Sequence, residues 1–134
     1  MPRLDKYHEV VKTALIKDGW KIVYDPFLLK YKGLRLYIDL AAEKFSDDKK
    51  VAVEIKVFGS DSFVNDFEKA VGQYSLYKFI LKKAGFGHKL YLAVTEEVFE
   101  KFNDKPAILD FIAESDFYLL IFDSETEKIL QWIN

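Results

Sequence analysis

The sequence contains no cysteine. Disulfide bonds and thiolate zinc sites are therefore excluded, and a reducing, cytoplasmic environment is indicated. Long apolar runs are also missing, because none reaches the ~18 residues that a transmembrane helix requires. Residues 1–6 contain no apolar segment typical of a secretory signal. We therefore expect a protein that is neither secreted nor inserted in a membrane.

A strong excess of one charge is lacking as well. The formal net charge is −2, which argues against a protein that coats nucleic acid constitutively. The charges are unevenly distributed: residues 1–60 carry 12 basic and 9 acidic side chains, whereas residues 61–134 carry 8 and 13. The positive bias of the first part suits a phosphate backbone, although a solvated surface of mixed charge would give the same counts.

Apolar residues, by contrast, are plentiful. Hydrophobic residues make up 50% of the 134 residues and aromatic residues 16%, which excludes disorder as the main state. The length is close to that of one typical domain. No repeat, low-complexity tract or linker interrupts the chain, so we predict a single domain that spans residues 1–134.

Apolar periodicity predicts four helices and six strands. The first helix has an apolar stripe that includes Leu4, a candidate N-cap at Asp5 and a terminating glycine at Gly19. The other helices are predicted at 63–83, 96–102 and 106–114, and the strands at 20–24, 34–40, 51–57, 89–95, 117–122 and 128–133. This order predicts an α/β (α+β) fold, with a mixed sheet flanked by helices and a C-terminal β-hairpin. The helix at 63–83 has the right length for a parallel crossover.

Strict alternation of apolar residues in 34–40 and 51–57 predicts a hairpin around a polar turn at residues 47–48. Asp39, Glu54 and Lys56 occupy the parity opposite to the apolar side chains and would project to one side. Two converging carboxylates form a hard-oxygen site suited to Mg²⁺ or Mn²⁺. Such a metal lowers the pKa of bound water, and a lysine can stabilise a phosphoryl transition state. The alternative is that the three residues are the solvent face of an amphipathic hairpin.

Two sequence motifs resemble those of a nuclease superfamily. Asp39, followed by Glu54-Ile55-Lys56, resembles the PD-(D/E)XK motif of restriction-endonuclease-like nucleases, with Ile38 in place of the proline. Gln73 and Tyr77, one turn apart on the long predicted helix, resemble the Q-x-x-x-Y element of the branch typified by the RecB nuclease domain. Nearly the whole chain also resembles XisH, the fdxN-element excision controlling factors of cyanobacteria. The segments that carry this likeness are 14–20, 37–44, 51–56, 72–74, 90–94 and Trp132.

The resemblance implies a restriction-endonuclease-like core and a role in programmed, site-specific DNA excision. It implies that Asp39 and Glu54 bind Mg²⁺ or Mn²⁺, that Lys56 is the catalytic lysine, and that Gln73 and Tyr77 lie near the substrate strand. Its implied partners are DNA, a separate site-specific recombinase and a companion protein of the XisI type.

Two further residues are candidate metal ligands. In related resolvase-like nucleases the first helix contributes a glutamate to the metal site, and the matching position here is His8. A histidine on an apolar stripe can equally be structural. Glu43, four residues beyond Asp39, is a further candidate ligand, with an ordinary loop acid as the alternative.

Three functions are compatible with the sequence. The first is a metal-dependent DNA endonuclease or nicking enzyme, which would act as a homodimer if it cuts both strands, because each chain has one site. The second is a non-catalytic accessory factor that uses the nuclease-like fold to bind DNA, a recombinase or an XisI-type partner. The third is a protein-interaction module that uses aromatic residues such as Tyr118 and Phe122, although these positions also suit a core.

Overall fold

A computed structural model describes residues 6–134 of the chain. Leu4 and Asp5, which the sequence assigns to the first helix, lie outside this range. The helices are α1 (His8–Lys17), α2 (Phe63–Lys83), α3 (Glu96–Asn103) and α4 (Pro106–Glu114). The strands are β1 (Lys21–Tyr24), β2 (Phe27–Tyr31), β3 (Leu34–Ile38), β4 (Leu40–Lys44), β5 (Lys49–Ile55), β6 (Lys89–Thr95), β7 (Leu119–Asp123) and β8 (Lys128–Ile133).

Six of the strands form one mixed sheet in the order β1-β4-β5-β6-β7-β8. The pairs β5–β6 and β6–β7 are parallel, and the remaining neighbours are antiparallel. Helix α2 connects the parallel strands β5 and β6, and β7 and β8 form the C-terminal hairpin. The mixed sheet flanked by helices is therefore confirmed.

Helices cover both faces of the sheet. Val11 and Leu15 of α1 pack on one face, against a buried cluster that includes Leu40 and Val53. Helix α2 packs on the other face, together with α3 and α4. All residues of β5 from Val51 to Ile55 are buried in consequence. The side of this strand that carries Glu54 therefore lies under a helix instead of facing solvent.

The aromatic side chains offered for an interaction surface belong largely to the interior. Phe122 is completely buried, and Tyr118 packs partly buried against the cluster on the α1 face. Of these two positions, only Tyr118 therefore keeps some exposed surface for the interaction-module hypothesis. Within residues 6–134, no helix combines the length and apolarity needed to cross a membrane.

The prediction of one strand at 34–40 is wrong. The backbone breaks at Asp39: β3 pairs with β2 in a separate two-stranded ribbon, and β4 pairs with β5 in the main sheet. In the sequence, apolar and polar residues keep alternating across the break, because Asp39 takes a polar position of the two-residue period. The apolar pattern alone could therefore not reveal two strands.

Strand β2 was not predicted, although its turn carries a recognisable signal. Lys32 and Gly33 both have positive φ, at 41° and 89°, which is the conformation of the two central residues in a type I′ hairpin turn. Glycine adopts this conformation without steric cost, and the two-residue loop fixes the register of β2 on β3.

The boundaries of the long helix agree with the sequence. Ser62 is the N-cap of α2, and its side chain accepts a hydrogen bond of 3.2 Å from the backbone N–H of Asn65. At the first helix, Gly19 has a φ of 91° and follows the C-cap of α1, as expected for a helix-terminating glycine.

Candidate functional site

Asp39 and Glu54 lie side by side at one end of the β4–β5 pair. Asp39 occupies the break between β3 and β4, and Glu54 is the penultimate residue of β5. The backbone N–H of Asp39 donates to Glu54 Oε1 over 3.1 Å, and the N–H of Ile55 donates to Asp39 Oδ2 over 2.8 Å. The register of β4 on β5, in which Leu40 opposes Val53, thus brings the two carboxyl groups together.

Lys56 follows directly after β5 and borders this carboxylate pair. Its backbone N–H donates to the carbonyl oxygen of Ala93 over 3.0 Å, which continues the parallel ladder with β6. Its Nζ lies 4.0 Å from Glu54 Oε2, and the side chain is partly exposed. The ammonium group therefore faces both the buried pair and solvent.

The Glu54 carboxyl group is in an unfavourable environment for its charge. Glu54 is only 7% exposed. Burial, and then repulsion from the Asp39 carboxylate, raises its pKa to about 8, although the Lys56 ammonium opposes the shift. Without a cation, burial and the neighbouring Asp39 carboxylate therefore favour the protonated form of Glu54.

Helix α2 places Gln73 and Tyr77 against the same group. Gln73 Nε2 donates to the Tyr77 hydroxyl over 2.8 Å. Burial, and then the negative charge of Glu54, raises the pKa of Tyr77, so the phenol lies close to the carboxylate pair. Gln73 Oε1 is buried and has no hydrogen-bond partner among the described residues. The Q-x-x-x-Y element is thus linked to the carboxylate pair through Tyr77, on which the charges of Glu54 and Asp39 act, and Gln73 is hydrogen-bonded to Tyr77.

His8 is engaged in a different interaction. Its Nε2 lies 2.6 Å from Asp25 Oδ1, while Asp25 Oδ2 accepts a hydrogen bond of 2.8 Å from Lys12 Nζ. Within residues 6–134, no group of three or more His, Asp or Glu side chains is arranged to hold a metal ion. His8 is thus not brought into a three-ligand group with Asp39 and Glu54. The sequence analysis missed its partner Asp25, because the two are adjacent only after α1 folds back on β1.

Glu43 lies at the opposite end of β4 from Asp39. The two are four positions apart along the chain, or about 13 Å, and Glu43 opposes Lys50 in the β4–β5 register. Its charge raises the pKa of His88, which burial and Lys50 lower more strongly. The structure therefore does not bring Glu43 beside Asp39 and Glu54.

Comparison with known proteins identifies the family. The model of the XisH protein family matches residues 1–130. The chain belongs to the XisH family. Its structure is similar to that of an XisH family protein from Nostoc punctiforme PCC 73102, with a TM-score of 0.88 and 39% identity over 97% of this chain and 100% of the other.

A second solved relative of this XisH-family chain is an fdxN element excision controlling factor protein from Anabaena variabilis. The TM-score is 0.87 and the identity 40%, over 96% of this chain and 98% of the other. No curated protein matches the chain.

The donor set of the XisH-family site suits a hard divalent cation. Mg²⁺ is commonly held by one or two carboxylates and completes its octahedron with water and substrate phosphate. Asp39 and Glu54 supply two such carboxylates, and the raised pKa of Glu54 shows that they repel each other when both are ionised. A cation between them would remove that repulsion, so the residues fit the group.

Proposed function

We propose that this XisH-family protein takes part in programmed, site-specific DNA excision and hydrolyses a phosphodiester bond at Asp39, Glu54 and Lys56 with Mg²⁺ or Mn²⁺. The observation that carries the proposal is the pairing of the buried Glu54 carboxyl with Asp39, with Lys56 Nζ at 4.0 Å from Glu54. The pairing of Asp39 with a Glu-x-Lys strand also supports a PD-(D/E)XK-type core. The role in excision draws on the description of the Anabaena variabilis relative.

Each residue has a distinct task in this proposal. Asp39 and Glu54 hold the cation, which when bound supplies an activated water molecule and neutralises charge on the phosphate. The Lys56 ammonium, which faces solvent on one side, contacts a non-bridging oxygen and stabilises the negative charge that develops there. Tyr77 and Gln73, which are hydrogen-bonded to each other, position the substrate strand in this proposal.

A non-catalytic accessory factor is the second candidate function. The absence of a third His, Asp or Glu ligand among the described residues favours it, because many catalytic metal sites gather more protein ligands. In that case the nuclease-like fold would bind DNA, a site-specific recombinase or an XisI-type companion without cutting.

Nicking of supercoiled plasmid by the pure protein, with Mg²⁺ or Mn²⁺, tests the two functions. Lys56→Ala should abolish cleavage while metal binding persists, because the lysine contacts phosphate and not the cation. Lys101→Ala, an exposed lysine on α3, is the matched control and should cut normally. Metal binding by the parent without cleavage of supercoiled, branched or single-stranded DNA would leave the accessory factor as the function.

A further inference from the structure

Three adjoining concavities form one groove at the end of the strands remote from Glu54. Their volumes are about 580, 540 and 280 Å³. The first and second share Gly87 and Lys89, and the second and third share Lys78 and Lys82. The groove therefore bends around the start of β6, from the β4–β5 turn on the α1 face of the sheet to the space between α2 and α4 on the other face. We call it the lysine groove.

Positive charge dominates the lysine groove although the protein is acidic as a whole. Six lysines line it: Lys44, Lys49, Lys50, Lys78, Lys82 and Lys89. The acidic residues that line it are Asp18 and Asp47, both in the first concavity, and Asp18 already lies 3.9 Å from Lys44 Nζ. The second and third concavities have no acidic lining residue. Such a surface is complementary to a polyanion.

Aromatic rings line the lysine groove as well. Phe79, Phe86 and Phe111 line the second and third concavities and are 52%, 37% and 39% exposed. Trp132, which is half-buried, lines the first concavity and packs at 5.5 Å against the ring of Trp20. Flat rings between cationic side chains are the arrangement with which proteins bind single-stranded nucleic acids, because every base has a face that stacks.

We propose that the lysine groove binds a single-stranded nucleic acid, with phosphates on the lysines and bases on the exposed rings. An acidic amphipathic peptide is the competing ligand. Its apolar face would be matched by a continuous aliphatic stripe, whereas here separate exposed rings and lysines line the second and third concavities together. Lys49 and Glu54 are at opposite ends of β5, about 16 Å apart, so binding in the groove does not require the carboxylate pair.

Fluorescence anisotropy with a labelled 15-nucleotide single strand tests this binding. EDTA in the buffer excludes metal-dependent cleavage, so the result is independent of the proposed nuclease function. Since each neutralised phosphate contributes about −0.7 to the logarithmic salt slope for single strands, the triple variant Lys78→Gln/Lys82→Gln/Lys89→Gln should lower affinity more than tenfold and reduce the slope by about 2. The triple variant Lys30→Gln/Lys69→Gln/Lys101→Gln changes net charge equally at exposed positions outside the groove and should bind nearly as the parent does.

The variant Phe79→Ala distinguishes the contribution of base stacking to affinity from that of charge. It should weaken binding at least about fivefold, as expected for the loss of one base stack, and leave the salt slope unchanged. Circular dichroism melting verifies that each variant is folded. DNA and RNA strands of the same sequence show which sugar is preferred.

Three results would overturn the proposal. The first is no measurable binding of either strand at low salt, and the second is equal loss of affinity in both triple variants. The third is tighter binding of a labelled Glu/Phe peptide than of the strands, with the groove variants weakening the peptide, since the groove would then be a site for an acidic protein segment.

Discussion

The Glu54 carboxyl is buried between Asp39 and Lys56, and its proton links stability to pH. Its pKa is about 8 in the folded protein and 4.5 in the unfolded chain. Between these values the folded state binds more protons than the unfolded state, so stability falls as pH rises from 4.5 towards 8 and then levels off. The destabilisation reaches at most about 4 to 5 kcal/mol, from 1.36 kcal/mol per pKa unit.

Glu54→Gln should remove this dependence. In EDTA, the variant should gain stability relative to the parent as pH rises, with little difference at pH 4.5 and the largest difference at pH 8.5. Urea denaturation at the two pH values measures it, and Glu100→Gln on the exposed face of α3 serves as control. A gain of the same size at both pH values would contradict the raised pKa.

Metal binding to Asp39 and Glu54 should raise the stability of the protein, whereas ionisation of Glu54 lowers it. Because a ligand that binds only the native state stabilises it, Mg²⁺ at a hundred times its Kd should add about 2.7 kcal/mol to the free energy of unfolding. Asp39→Asn should abolish this gain, and its amide oxygen can still accept the hydrogen bond from Ile55. Thermal melts with and without Mg²⁺ at pH 8 measure it. An undiminished shift in Asp39→Asn would place the cation elsewhere.

At the scale of the elements, two glycines test the backbone of the ribbon and of α2. Gly33 has a φ of 89°, whereas Gly72 lies exposed inside α2, and a Cβ on either meets no atom within 4 Å. Gly33→Ala should lower stability by about 1 kcal/mol because alanine is strained at positive φ. Gly72→Ala should raise it by about 0.5 to 1 kcal/mol because alanine favours the helix. Denaturant midpoints of both variants should therefore move in opposite directions.

The elements that sequence could predict are those fixed by local signals. The capped α2 helix and the apolar β6 strand carry their boundaries in their own residues, so they were found with correct bounds. The division at Asp39 was missed because β3 and β4 share one parity while pairing with different strands. That choice of partner depends on tertiary packing, which a two-residue period does not encode.

The candidate site was accessible to sequence in part. Asp39 and Glu54 could be placed together from strand parity, whereas the engagement of His8 with Asp25 depends on how α1 docks on the sheet. The lysine groove gave no sequence signal, because Lys44, Lys50 and Lys89 are dispersed along the chain. The β4–β5 hairpin brings Lys44 and Lys50 together, and the parallel crossover then places Lys89 beside them.

For the whole molecule, one carboxylate pair per chain has a consequence for the products of cleavage. A monomer would cut one strand at each encounter, so open-circular plasmid should accumulate before any linear form. A homodimer with two sites would release linear plasmid from the start. Agarose gels of a time course, combined with sedimentation to give the oligomeric state, distinguish the two. Linear product from a protein that sediments as a monomer would contradict this expectation.

Strand β5 connects the lysine groove to the carboxylate pair and would fix the distance between them. It carries Lys49 and Lys50 at one end and Glu54 at the other, and it is hydrogen-bonded on both sides by β4 and β6. A single-stranded nucleic acid bound by these lysines and cut at the carboxylate pair would be cut at a constant distance from its bound segment. With a rise of 3.4 Å per stacked nucleotide, the span of about 16 Å corresponds to roughly five nucleotides.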